Sequence, residues 1–210
     1  MLTIALAKGR LAEKAVDLFE ECGITVDLLR EENRKLVIED KKDDIKFILV
    51  KPADVPVYVY RGVADMGVAG KDTLLEAGLP LYEMLDLKFA ECSICVAGYT
   101  NNQKKHLGAL TRVATKYPRI AKLHYEQKGE DIEIIKLNGS IELAPILDLS
   151  DVIVDIVESG ATLKENGLEV LEKVCSVSAR LVVNQVSLKT KSKQISLLIE
   201  KMKERINKIQ

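Results

Sequence analysis

The chain has 210 residues, 47% hydrophobic and 30% charged, a composition of soluble globular proteins with room for one large domain or two smaller ones. Its 31 Lys and Arg stand against 32 Asp and Glu, so the net charge of −1 offers no global basic excess for nucleic acid or an anionic membrane. The N-terminus meets Lys8 before any signal-peptide core is complete, and no apolar run reaches membrane-span length, so the expected compartment is the cytoplasm.

Leu2 to Ala7 is a short apolar run that predicts a buried strand. Lys8-Gly9-Arg10 ends it, and Leu11, Ala15, Leu18, Phe19 and Cys22 then share one helical face, with Gly23 as the stop. Residues 36–39 and 45–50 flank the charged turn Asp40-Lys41-Lys42-Asp43-Asp44, which predicts a hairpin. Asp54 is a candidate N-cap for a short helix with Pro56 in its first turn and Gly62 at its end. Residues 65–70 read as a second glycine-punctuated strand, and Lys71-Asp72 opens a further helix. Residues 89–97 predict a strand that contains Cys92-Ser93-Ile94-Cys95. Positions three apart on a strand face opposite sides, and no second cysteine pair is present, so this C-x-x-C reads as core, not as a metal or redox site.

Residues 132–137 and 152–156 are further strands, separated by a helix from about Ser140. The tail from Lys191 carries Ile195, Leu198, Ile199, Met202, Ile206 and Ile209 at helical spacing, which predicts a capping helix. Alternating strands and helices define an α/β class with largely parallel sheets. Two lobes fit best, residues 1–90 with 181–210 and residues 91–180, with a cleft between them and strands crossing near 87–92 and 179–183.

The densest chemical signal is Val152-Ile153-Val154-Asp155-Ile156-Val157-Glu158-Ser159-Gly160-Ala161-Thr162-Leu163. A buried strand ends at an acid and opens into a Ser-Gly-x-Thr turn and a helix start. Gly160 permits positive φ, so successive amides can converge on one anion. Ser159 and Thr162 add hydroxyl donors, and Asp155 can accept from sugar hydroxyls beside the anion. The combination suits a 5-phosphorylated ribose, although an ordinary strand–turn–helix connection uses similar residues.

Three other loops after strands are candidates for the same cleft: Lys8-Gly9-Arg10, Gly70-Lys71-Asp72, and Leu137-Asn138-Gly139-Ser140 with Glu142. Gly70-Lys71-Asp72 is no Walker A loop, because Asp65 stands at the upstream glycine position and Asp72 replaces the Ser or Thr. His106 and His124 are the only histidines, and both lie in charged stretches expected to be exposed. An enzyme built this way works by positioning and electrostatics and has no evident nucleophile.

Taken in order, residues 8–11, 64–72, 112–118, 137–145 and 155–163 resemble the ATP phosphoribosyltransferases of histidine biosynthesis, from Leu2 to about Asn184. Asp148 departs from the glycine usual there. The resemblance implies a two-lobed fold like that of type II periplasmic binding proteins. It also implies a reaction in which N1 of the ATP adenine attacks C1 of phosphoribosyl pyrophosphate, with Mg²⁺ carried by the substrates and no metal site of the protein's own. Carried over by position, Glu158, Ser159, Gly160, Ala161 and Thr162 cradle the 5-phosphate and Asp155 holds the ribose. Lys8, Gly9, Arg10, Asp65, Gly70, Lys71 and Thr115 are candidates for ATP, with Lys8, Arg10 and Glu142 as candidate catalytic residues.

One helix follows the second lobe, so the resemblance is to the short form, without a C-terminal histidine-binding domain. That form implies a homodimer alone and a hetero-octamer with a regulatory subunit related to histidyl-tRNA synthetase. Two alternatives remain at this point: a salvage phosphoribosyltransferase acting on a free base, and a non-enzymatic solute-binding protein of the same fold.

Overall fold

A computed structural model describes residues 1–31, 35–100 and 110–208. The chain forms two compact units, Met1–Ala90 with Ser178–Gln210, and Glu91–Val177. The first runs β1 (Leu2–Ala7), α1 (Arg10–Glu21), α2 (Asp27–Arg30), β2 (Val37–Asp40), β3 (Ile45–Val50), α3 (Val55–Tyr60), β4 (Met66–Gly70), α4 (Lys71–Ala77) and β5 (Tyr82–Asp86). The second runs β6 (Cys92–Gly98), β7 (Thr111–Thr115), α5 (Pro118–Gln127), β8 (Ile132–Lys136), α6 (Leu143–Ile146), β9 (Val152–Val157), α7 (Ala161–Glu165) and β10 (Glu169–Val177). The chain then returns through β11 (Ala179–Val183), α8 (Gln185–Thr190) and α9 (Ser192–Lys208).

The first sheet has the order β2-β3-β1-β4-β11-β5 and the second β10-β6-β9-β7-β8. Both are mixed, which corrects the expectation of largely parallel sheets. β1 runs parallel to β3 and β4, and β7 parallel to β8 and β9. The β2–β3 hairpin and the strands β5, β6, β10 and β11 pair antiparallel. Hydrophobic periodicity reports burial and not strand direction, so the two arrangements look alike in sequence.

In the first unit, β1 is buried on both faces, which is why it reads as an unbroken apolar run. Leu2, Ile4 and Leu6 pack with Phe19 of α1, Phe47 of β3 and Ile195 and Met202 of α9. Ala5 and Ala7, on the other face, meet Val55 and Val59 of α3. The expected capping helix is α9, whose Ile195, Leu198, Ile199, Met202 and Ile206 are all buried; Ile209 lies outside the described residues. In the second unit Ala97, Ala114, Ile141, Ile153, Leu163 and Leu168 form a core beneath α6 and α7. Among the described residues no helix is long and apolar enough to cross a membrane.

Candidate functional site

β9 lies third in the five-stranded sheet, flanked by β6 and β7. It continues to Val157, so Asp155 stands two residues inside the strand and not at its end as expected. The turn Glu158-Ser159-Gly160 follows, Gly160 adopts φ 74° and ψ 4°, and α7 begins at Ala161. A side chain at 160 would meet nothing closer than Val157 Cγ1 at 3.8 Å, so the positive φ and not space is what asks for glycine. Ser159 Oγ accepts from Ala161 N at 3.3 Å, a long bond that a better acceptor would displace. A first helical turn has amides without intrahelical acceptors, and here they follow the left-handed glycine.

This turn borders a cavity of about 260 Å³ lined by Glu142, Asp155 and the whole run 158–162. The floor adds Cys95 and Ala97 of β6 and Ile153 of β9, which sequence reasoning did not place there. The antiparallel register explains them, since Cys95 stands opposite Asp155 and Ala97 opposite Ile153. Seven candidate residues named from sequence therefore share one concavity within a single unit. The two sequence-close thiols separate: Cys95 is buried beside the cavity, while Cys92 falls on the alternate parity of β6, and neither is in a disulfide.

In the first unit, Lys8, Gly9 and Arg10 are exposed where β1 hands over to α1, with Gly9 at φ 111°. Gly9 O accepts from Ala12 N at 2.9 Å, so the amides of residues 9–11 stand ahead of the helical ladder. Lys8 N donates to Val50 O at 3.2 Å, and the Ala7–Val50 register sets Lys51 beside Lys8 at the same sheet edge. Lys51 was not anticipated; a cation between a strand and Pro52 was the available signal. Gly70 and Lys71 join β4 to α4, and Lys71 Nζ is paired with Glu83.

Two residues expected at ATP are buried and hydrogen-bonded within the protein. Asp65 precedes β4 at the end opposite Gly70, buried, and accepts from Thr3 N at 2.8 Å, Ser187 Oγ at 2.7 Å and Lys191 Nζ at 2.6 Å. Burial raises its pKa, but the bonds from Lys191, Thr3 N and Ser187 outweigh this and hold the carboxyl below its ordinary value. It fastens β1 and β4 to α8 and α9 and has no open face. Thr115 is fully buried, donating to Val154 O at 2.6 Å and accepting from Tyr117 N at 2.8 Å. Its hydroxyl is spent inside the sheet. His124 is also less exposed than expected, with 11% of its side chain accessible and Nε2 3.4 Å from Glu172; His106 lies outside the described residues. Among the described residues no cluster of three or more His, Cys, Asp or Glu is arranged to hold a metal ion.

A central-strand loop with a left-handed glycine, aimed into a cavity whose walls carry carboxylates, defines an α/β protein of the phosphosugar-binding class. Residues 51–204 match the family model described as HisG, ATP phosphoribosyltransferase. The chain belongs to the ATP phosphoribosyltransferase family. It is 56% identical over 207 residues to the ATP phosphoribosyltransferase of Caldanaerobacter subterraneus subsp. tengcongensis, covering 99% of this chain and 98% of that one. It is 54% identical over 212 residues to that of Lachnoclostridium phytofermentans, covering 100% and 99%. Among solved structures it is similar to the ATP phosphoribosyl transferase (HisG:HisZ) complex from Thermotoga maritima, with TM-score 0.86, 39% identity and 99% of each chain covered. The fold class is therefore the α/β fold of the type II periplasmic-binding-protein kind.

Proposed function

We propose that the chain transfers the phosphoribosyl group of phosphoribosyl pyrophosphate to N1 of ATP, the first step of histidine biosynthesis. The observation that carries this is the cavity bounded by Asp155 and residues 158–162 in a chain of this family. Amides of the 159–162 turn and the hydroxyls of Ser159 and Thr162 take the 5-phosphate. Asp155 and Glu142 accept hydrogen bonds from ribose hydroxyls. The bond from C1 to the pyrophosphate oxygen breaks with its electron pair leaving on pyrophosphate, while the N1 lone pair forms the new bond. N1 needs no base to free that pair, which fits a cavity without a histidine.

Lys8, Arg10 and Lys51 supply positive charge for the polyphosphates, with the Gly9, Gly70 and Lys71 loops as further ATP contacts. Mg²⁺ would arrive on the substrate phosphates, with the carboxylates of Glu142 and Asp155 at the cavity wall as the oxygen donors nearest to it. The ion neutralises pyrophosphate charge when bound. The proposed setting is the cytoplasm. We further propose a homodimer for the chain alone and a hetero-octamer with a histidyl-tRNA-synthetase-like regulatory subunit; the support is the solved relative described as a HisG:HisZ complex.

Pyrophosphate release from phosphoribosyl pyrophosphate, measured with ATP and separately with free purine and pyrimidine bases, tests the reading. Release with ATP alone, scarcely inhibited by histidine in the isolated chain, is expected. Release with a free base but not with ATP, or with no acceptor at all, contradicts it.

A further inference from the structure

The C-x-x-C segment is the one sequence motif that the reaction above leaves unused, and half of it faces the donor cavity. Residues alternate sides along β6 and β9, so Cys95, Ala97, Ile153 and Asp155 share one face of the sheet, and all four line the cavity. Cys95 is the direct cross-strand partner of Asp155. Such pairs bring Cβ atoms to about 4.5–5.5 Å, so whatever side chain stands at 95 decides the space beside the Asp155 carboxylate. The two β6 positions under the cavity carry small side chains, whereas β6 positions of the other parity, Ile94 and Val96, are large and buried.

We infer that Cys95 is a specificity-determining residue: it forms the floor beneath the pentose held by Asp155 and sets how much sugar the pocket admits. The inference rests on the functional reading above and deepens it. A thiol is suited to the position in two ways. It is smaller than any branched side chain, and it stays neutral beside a carboxylate, because burial pushes the Cys95 thiol up against a weaker opposing pull from Lys173. A neutral S–H is a weak donor that leaves Asp155 its negative charge for sugar hydroxyls.

Binding of phosphoribosyl pyrophosphate to the full chain, followed by calorimetry in the wild type, Cys95→Ser and Cys95→Val, tests this. Cys95→Ser keeps size and neutrality and is expected to bind within about threefold of wild type. Cys95→Val adds a branch to the floor and is expected to weaken donor binding at least tenfold, with the KM for ATP unchanged. A second measurement needs no variant: methylthiolation of the four cysteines of the wild type, followed by mass spectrometry with and without the donor. Saturating donor is expected to slow Cys95 at least tenfold and to leave Cys22, Cys92 and Cys175 within about twofold. Wild-type donor affinity in a folded Cys95→Val, or a Cys95 rate indifferent to bound donor, overturns the inference and leaves the functional reading standing. No binding of the donor to the wild type overturns that reading and the inference together.

Discussion

Two strands of this chain pass through a glycine into a short helix, and the two glycines answer different demands. After β4, Gly70 has φ −66° and ψ 143°, ordinary extended backbone open to any residue. A Cβ there would meet Asp72 Oδ1, the far end of a side chain. The helix start there is already met by an acid of its own chain, and the adjoining Lys71 is already paired with Glu83. After β9, Gly160 has room for a Cβ and is glycine for its φ of 74°. Among the described residues only Val157 Cγ1 comes within 4 Å of a Cβ there, and the turn borders the cavity of about 260 Å³. One glycine makes space for the protein's own carboxylate, and the other makes a left-handed turn at the edge of a cavity.

The largest effect follows from breaking the second kind. In Gly160→Val a β-branched residue must enter the left-handed region, which costs about 1–2 kcal/mol for any L-residue and more for a branched one. The turn relaxes by turning its amides away. The specificity constant for phosphoribosyl pyrophosphate should fall about a hundredfold, roughly 2.7 kcal/mol. Steady-state kinetics with the donor as the varied substrate measures it. A Gly160→Val enzyme with a wild-type donor KM and turnover would show that the amides are not the phosphate ligand.

How much of this was legible in sequence depends on how local each cause is. Residues 152–163 could be read because a β-branched run, a glycine and a helix start lie within twelve positions. The burial of Asp65 and Thr115 was not legible because their partners are remote. Ser187 and Lys191, which enclose Asp65, lie 122 and 126 residues away, and Val154, which takes the Thr115 hydroxyl, lies 39 away. Both residues flank strand ends, where a ligand contact and a tie between strands call for the same side chains. The burial of Cys95 was read correctly, but its place beside Asp155 was hidden for the same reason: cross-strand register fixes it, and no periodicity reports register between distant strands. The mixed direction of both sheets was hidden likewise. Lys8, Gly9 and Arg10 were found because an apolar run meeting a charged glycine turn is visible locally, whereas Lys51 joins them only through the β1–β3 pairing.

Asp65 sharpens the contrast between residues that hold the protein and residues that hold the substrate. Asp65→Asn leaves Lys191, which is one-third accessible, without its counter-charge and weakens the bonds from Thr3 N and Ser187. We expect a loss of about 2 kcal/mol in urea unfolding at neutral pH, with KM values for both substrates unchanged. The pH dependence has a definite sign. The folded carboxyl titrates below the unfolded value of about 3.9, so its contribution is present above that pH and drains away as the pH falls through the folded pKa. The wild type should lose stability on acidification below about pH 4 more steeply than Asp65→Asn. Parallel acid profiles for the two would remove the ion pair from the account, and a raised ATP KM would return Asp65 to the substrate.

The smallest effect tests Gly70 directly. In Gly70→Ala the backbone is already acceptable, and the only obstacle is the Asp72 carboxylate, the far end of a side chain that can rotate. Moving it off its preferred rotamer costs about 1 kcal/mol, and its favourable place in the first turn of α4 adds a few tenths more. The melting temperature should drop by about 2–4 °C for a chain of this length. Asp72→Ala removes the obstacle, so Gly70→Ala should be nearly neutral in that background, and the pair should couple in a double-mutant cycle. The coupling matters more than the size, because a clash can be relieved by changing its partner and a φ requirement cannot. Asp72→Ala should therefore do nothing for Gly160→Val, and equal costs for Gly70→Ala with and without Asp72 would mean that the two glycines are alike after all.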